Sequence, residues 1–203
     1  MRLRDINIGT EQKPEHIFDN STMDLDPDLE LYPPQEEAVK AGLLDSNQNF
    51  LIASPTASGK TLLAELVMVS SIVRDSGKCL YLVPLNALAY EKYLNFRDKY
   101  DYSNSAGAGA GAIAKVGIST GDYESSSRYL ERYDIIILTL EKLDSLTRLK
   151  PAWLRTVSVV VVDEVHVIGD DKRGPRLEGA MARFMSFNPA ARIIALSATV
   201  ANV

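Results

Sequence analysis

From position 50 onward, short runs of almost purely apolar residues recur along the chain, separated by longer stretches with helical spacing. The runs lie at Phe50–Ala53, 79–83, 114–118, Ile135–Thr139, Val157–Val162 and 193–196. They are rich in Val, Ile and Leu and lack the in-out alternation of a half-solvated strand, which predicts strands covered on both faces. Between them, segments 62–74, 87–99, 125–132, 141–149 and 176–185 place apolar residues at helical intervals. A repeated strand-then-helix order predicts an α/β domain with a mostly parallel sheet and helices on both faces.

The two polar stretches outside this pattern carry different expectations. Residues 1–30 form a polar N-terminal arm in which Asp24, Asp26, Pro27, Asp28 and Glu30 cluster, either loosely structured or packed as an extended segment. Residues 103–112, an Ala/Gly run, offer little surface to pack and predict a flexible loop. The remaining length, within 203 residues of which 46% are hydrophobic, suits a single domain spanning 1–203.

Charge and cysteine content narrow the function classes. A formal charge of −5 gives no broad basic field, so binding to nucleic acid would have to come from local contacts to phosphates. No apolar run approaches the roughly 18 residues of a membrane span, and the N-terminus lacks a signal-like apolar core. No membrane association is expected, and the protein is read as intracellular and cytoplasmic. The single cysteine, Cys79, sits in an apolar strand and reads as a small buried hydrophobe.

The candidate chemistry begins directly after the first apolar run, where Ala53-Ser-Pro-Thr-Ala-Ser-Gly-Lys-Thr61 stands. A phosphate-binding loop needs a strand, a loop of small residues with inward amides, a Lys for the β- and γ-phosphates, and a hydroxyl for magnesium. Gly59-Lys60-Thr61 meets the end of that pattern, although Ser54 occupies the place of the first Gly. A second requirement is an acidic site on another strand, to hold the metal and activate water. The strand Val157–Val162 runs into Asp163-Glu164-Val165-His166, which puts two carboxylates where parallel sheets present their ligand groups. Asp163 is expected to hold magnesium and Glu164 to act as general base. Either motif alone also fits a capped helix start or a solvated loop. Their joint occurrence, about 100 residues apart and each after an apolar strand, favours a nucleotide-hydrolysing domain.

Taken together the motifs resemble the first motor domain of a superfamily 2 helicase. The likeness is to the superkiller-like branch that holds the archaeal fork-processing DNA helicases and the helicase portion of polymerase theta. The resemblance rests on Leu31-Tyr-Pro-Pro-Gln35, the loop from Ala53 to Thr61, Pro84-Leu-Asn-Ala-Leu88, Ser119-Thr-Gly-Asp122, Thr139-Leu-Glu-Lys142, Asp163-Glu-Val-His166, Arg173-Gly-Pro175 and Ser197-Ala-Thr199, in that order.

The resemblance implies a RecA-like P-loop NTPase fold with ATP and Mg2+ as cofactors. Pro55, Thr56, Ala57, Ser58, Gly59, Lys60 and Thr61 would hold the nucleotide, Lys60, Asp163 and Glu164 would be catalytic, and Thr61 with Asp163 would bind the metal. Gln35 would read the adenine edge with its paired donor and acceptor, rejecting guanine. Pro84, Asn86, Thr120, Gly121, Thr139 and Lys142 would line the single-strand track, although Asn86 and Thr139 are also good helix caps. Asn86 replaces the basic residue expected there in such proteins. His166, Ser197 and Thr199 would couple hydrolysis to domain movement. The sole other histidine, His16, gives His166 no metal partner, and Phe18 reads as core.

The expected partners are single-stranded or forked DNA, with RNA remaining an alternative, and a second RecA-like domain, which this sequence lacks. The expected activity is 3′ to 5′ unwinding by an ATP-dependent DNA helicase in repair or stalled-fork processing, acting as a monomer in an archaeal cell. These 203 residues alone are expected to bind Mg-ATP and single strand weakly and not to unwind, because the γ-phosphate arginines of such motors come from the second domain. A P-loop kinase and a non-catalytic scaffold derived from a helicase are the competing classes.

Overall fold

The computed structural model describes residues 1–7, 28–55, 59–101, 113–121 and 127–198. Six strands form one sheet: β1 (Phe50–Ala53), β2 (Lys78–Val83), β3 (Val116–Ser119), β4 (Ile135–Thr139), β5 (Val157–Val162) and β6 (Arg192–Ser197). Their order is β1-β6-β5-β2-β4-β3, and every neighbouring pair is parallel. The α-helices are α1 (Pro33–Lys40), α2 (Lys60–Val73), α3 (Asn86–Tyr100), α4 (Leu140–Leu149) and α5 (Gly174–Phe187).

The missing alternation in the sequence has a direct cause in the packing. From β2, Cys79, Tyr81 and Val83 join one core with residues of α2 and α3, among them Leu66, Val69 and Phe96. Leu80 and Leu82 point the other way, into a second core with Leu143, Leu146, Leu177 and Phe184 of α4 and α5. Both faces of the strand bury apolar surface, at about 1.5–3 kcal/mol for each large side chain, so no position is left for a polar residue. The edge strand β1 departs from the expectation of burial on both faces. Its Leu51 is 59% exposed, at the edge of the sheet, where no further strand pairs with β1 among the described residues.

Two further differences from the expected elements have local causes. β3 starts at Val116 rather than at 114, since the Asp101 carboxylate accepts the Val116 N–H at 2.8 Å and Ala114 makes only an isolated bridge with Asp101. The segment expected as a helix over 125–132 is a 3-10 turn at Ser127–Arg132, where Trp153 Nε1 donates to the Ser127 carbonyl at 3.0 Å and Leu130 plugs into the core. Residues 125 and 126 lie outside the described residues.

Both described ends of the N-terminal arm are packed. Leu3 and Ile6 are buried, and Leu3 N–H donates to the Leu29 carbonyl while Leu31 N–H donates to Met1. Residues 8–27, with His16 and Phe18, and the 103–112 segment lie outside the described residues. No helix among the described residues is long and apolar enough to cross a membrane.

Candidate nucleotide site

Because all six strands run the same way, the chain leaves β1, β2, β5 and β6 along one edge of the sheet, and the candidate residues gather there. Beyond β1, Ser54 and Pro55 lead toward Gly59, which caps α2; Thr56, Ala57 and Ser58 lie outside the described residues. Gly59 has φ +74°, and a Cβ added there would stand 2.1 Å from Gln35 Nε2, so only glycine fits. Lys60 opens the helix and folds back over the loop, its Nζ donating to the Ser54 carbonyl at 2.5 Å and the Pro55 carbonyl at 2.8 Å. An ammonium group and the free amides of a helix start therefore share one spot, which is the arrangement an anion needs.

The acidic pair sits at the end of β5. Asp163 Oδ2 accepts the Tyr81 hydroxyl at 2.7 Å, and Oδ1 accepts the Glu164 N–H at 2.9 Å, so both oxygens are oriented. Burial, reinforced by the negative charge of Asp163, pushes the Tyr81 phenol well above its ordinary pKa and keeps it a hydrogen-bond donor. Glu164 takes the left-handed conformation, φ +53°, which costs a non-glycine residue about 1–3 kcal/mol and is concentrated at functional sites. Its Oε2 stands 3.1 Å from His166 Nδ1.

Thr61 and the acidic pair approach one another around Tyr81 and Lys92. Thr61 stands in the first turn of α2, near the Tyr81 phenol that Asp163 binds. The Thr61 hydroxyl also accepts from Lys92 Nζ at 3.1 Å, and that ammonium lies 5.8 Å from the centre of the Tyr81 ring. Tyr81 and Lys92 were not singled out by sequence. Their contacts span 82 and 31 residues, and the only hint was a polar aromatic within a buried apolar strand.

The other predicted residues divide into those at the edge and those inside. Gln35 is 3% exposed, and its amide is engaged: Oε1 accepts the Tyr32 N–H at 2.9 Å, and Nε2 donates to the Gly59 carbonyl at 3.0 Å. Ser197 ends β6 and accepts the Ser54 N–H on its carbonyl at 3.2 Å; Thr199 lies outside the described residues. Asn86 is exposed as the first residue of α3, whose cap position is Leu85, and Thr120 is exposed beside Gly121. Pro84 is buried.

Of the residues expected along the strand track, Thr139 and Lys142 are buried. Thr139 is fully buried and Lys142 is 2% exposed, because β4 lies inside the sheet and α4 packs over its end. Thr139 makes no cap bond, and its Oγ1 has no hydrogen-bond partner among the described residues.

Comparison with known proteins matches this arrangement. The DEAD/DEAH box helicase family model matches residues 32–203. The "ATP-dependent DNA helicase Hel308" of Methanocella arvoryzae is 51% identical over 173 residues, which is 85% of this chain and 22% of that protein. The protein of the same name from Caldivirga maquilingensis is 49% identical over 172 residues, again 85% of this chain and 21% of the relative. The chain thus spans about a fifth of the length of these relatives. A solved structure, "Mycobacterium smegmatis helicase Lhr bound to ssDNA and AMP-PNP", superposes with a TM-score of 0.66 at 33% identity, covering 84% of this chain and 23% of that one. With its parallel sheet, its P-loop and its acidic pair in family order, the chain belongs to the DEAD/DEAH box helicases.

Proposed function

We infer that the chain is the ATP-binding motor lobe of an ATP-dependent DNA helicase that works 3′ to 5′ in repair or stalled-fork processing. The observation that carries this reading is the placing of Thr61 and Asp163 on either side of Tyr81, the first linked to it by Lys92 and the second by the phenol hydroxyl, with Lys60 opening the same helix as Thr61. The names of the relatives support DNA as the strand and ATP as the fuel.

The donor set fits Mg-ATP. Among the described residues no three His, Cys, Asp or Glu side chains cluster; the Thr61 hydroxyl and the Asp163 carboxylate would hold a magnesium ion that also binds the phosphates. Bound Mg-ATP supplies the scissile phosphoanhydride and a Lewis acid. Lys60, now bonded to the Ser54 and Pro55 carbonyls, would hold the phosphates together with the amides at the start of α2. Tyr81 and the Glu164 amide hold the Asp163 carboxylate at the metal side. Glu164, oriented by His166, takes the proton from the attacking water. Gln35 acts on the nucleotide through its grip on Gly59. The Ser197 carbonyl, tied to Ser54, passes changes in the loop to β6.

The single strand runs along the same sheet edge, past Asn86 and Thr120, both exposed. A second RecA-like domain supplies the arginines that complete the γ-phosphate site, worth roughly a thousandfold in rate, so the chain by itself is a weak ATPase and does not unwind. Calorimetric titration of Mg-ATP into the chain tests the site: binding is expected, and Lys60→Ala is expected to remove it. In a longer protein that includes the second motor domain, Glu164→Gln should retain binding but lose hydrolysis stimulated by single-stranded DNA. Stimulation by RNA alone, or Mg-ATP binding indifferent to Lys60→Ala, refutes the reading.

A further inference from the structure

One charged group at the site has no part in the function just described. Lys92 lies in α3, two turns beyond the exposed Asn86, and is half-buried. Its Nζ donates to Thr61 Oγ1 at 3.1 Å and stands 5.8 Å from the Tyr81 ring centre, over the side chain that binds Asp163. Thr61 is the hydroxyl assigned to the metal. An ammonium is therefore fixed on the very oxygen that a divalent cation would share.

We propose that Lys92 is a positioning residue of the nucleotide site: its ammonium, bonded to the Thr61 hydroxyl, attracts the phosphates, opposes the metal, and thereby sets how strongly nucleotide binding depends on Mg2+. The proposal rests on the P-loop reading above. Its two effects have opposite signs for an electrostatic reason. A positive charge within a few ångströms of the phosphates favours the bare polyanion, whereas the same charge at the same distance from a divalent cation disfavours it. In a half-buried site both effects are larger than at the surface, because fewer water molecules screen them. A residue with only a packing role would weaken both kinds of binding together.

The position of Lys92 also adds a physical link. α3 starts at the turn Pro84-Leu85-Asn86, so the helix that begins at the proposed strand contact ends its second turn at the Thr61 hydroxyl. A shift of α3 would move the ammonium relative to both phosphates and metal.

Calorimetric titration of ATP into the chain, in EDTA and across a Mg2+ series, tests this with no turnover required. For Lys92→Met we expect metal-free ATP binding to weaken by about tenfold and the Mg2+ concentration for half-maximal binding to fall by about the same factor. Lys92→Arg, which keeps the charge, should stay near the wild type on both measures. Both quantities unchanged, or both weakened together, overturns the proposal. Melting of the unliganded variants checks the fold; if Lys92→Met melts early, Lys92→Gln is read by the same two criteria. Failure of the wild type to bind ATP at all would instead refute the P-loop reading, and Lys60→Ala serves as the control that separates the two.

Discussion

Replacing Gln35 with Ala distinguishes a base-reading residue from one that shapes the P-loop. Sequence resemblance assigns Gln35 to the adenine edge, yet in the structure its acceptor is taken by the Tyr32 N–H at 2.9 Å and its donor by the Gly59 carbonyl at 3.0 Å. Both bonds are nearly dry, since Gln35 is 3% exposed. Each such bond contributes about 0.5–1.5 kcal/mol net, and a partner left unsatisfied in a buried place costs about 1–3 kcal/mol. Loss of both leaves the left-handed Gly59 without its tether and relaxes the loop that must present its amides. If about 1.4 kcal/mol of that falls on the bound form, nucleotide affinity drops about tenfold.

Because the effect travels through Gly59, it has no means of telling one base from another. Titration of ATP, GTP and inorganic triphosphate into Gln35→Ala should show equal losses for all three. Gln35→Glu separates the two bonds: it retains an acceptor for Tyr32 but sets a carboxylate oxygen against the Gly59 carbonyl, so it should bind worse than Gln35→Ala. If ATP binding weakens while GTP and triphosphate are unaffected, Gln35 reads adenine and the tether argument fails.

Three further outcomes follow from other contacts. Asp170 accepts the backbone N–H groups of Arg173 and Lys172 and pairs with the Arg173 guanidinium; these hydrogen bonds lower its pKa from the usual 3.8 to about 2. Its folded pKa is below its unfolded one, so its stabilisation is present above about pH 4 and lost as pH falls toward 2; acid unfolding of Asp170→Asn should lack that part of the slope. Burial pushes the Cys79 thiol up to about 12, so alkylation by a thiolate-selective reagent should be negligible at neutral pH until the chain is unfolded, and fast native labelling would contradict the packing. Asn188 Nδ2 donates to the Val157 carbonyl at 2.8 Å and the Leu154 carbonyl at 3.2 Å, and Asn188→Ala should lower stability by about 1–3 kcal/mol in denaturant titration, leaving nucleotide affinity unchanged.

What the sequence made legible is what depends on local pattern. β1, β4 and β5 begin and end where their apolar runs do, and β2 and β6 extend one residue beyond them at one or both ends. β3 was displaced because its start is set by Asp101, 15 residues away, and not by its own residues. The positions of Lys60 at a helix start and of Asp163 and Glu164 at a strand end were legible because each follows an apolar run closely in sequence. The burial of Thr139 and Lys142 was not legible, because a polar residue after a strand looks exposed until the sheet order places β4 between β2 and β3. Tyr81 and Lys92 were missed for a related reason: a phenol in an apolar run reads as core, and a lysine in a helix reads as solvated surface.

Tyr81 is in fact both core and site, and this has a consequence for how the site is held. Its ring packs edge-on against Phe96 of α3 at 5.1 Å between centres, within the core that α2 and α3 share, while its hydroxyl reaches Asp163 at the sheet edge. The Asp163 carboxylate is thus aimed by a side chain whose own position is decided by apolar packing beneath it. Close packing transmits displacement rather than absorbing it. A movement of α3, whether caused by a strand at Asn86 or by a smaller residue at Phe96, would shift the phenol and the Lys92 ammonium together, and would reach Asp163 and Thr61 with no change in either motif. The apolar pattern that first announced the sheet is therefore also what holds the distance between the two halves of the nucleotide site.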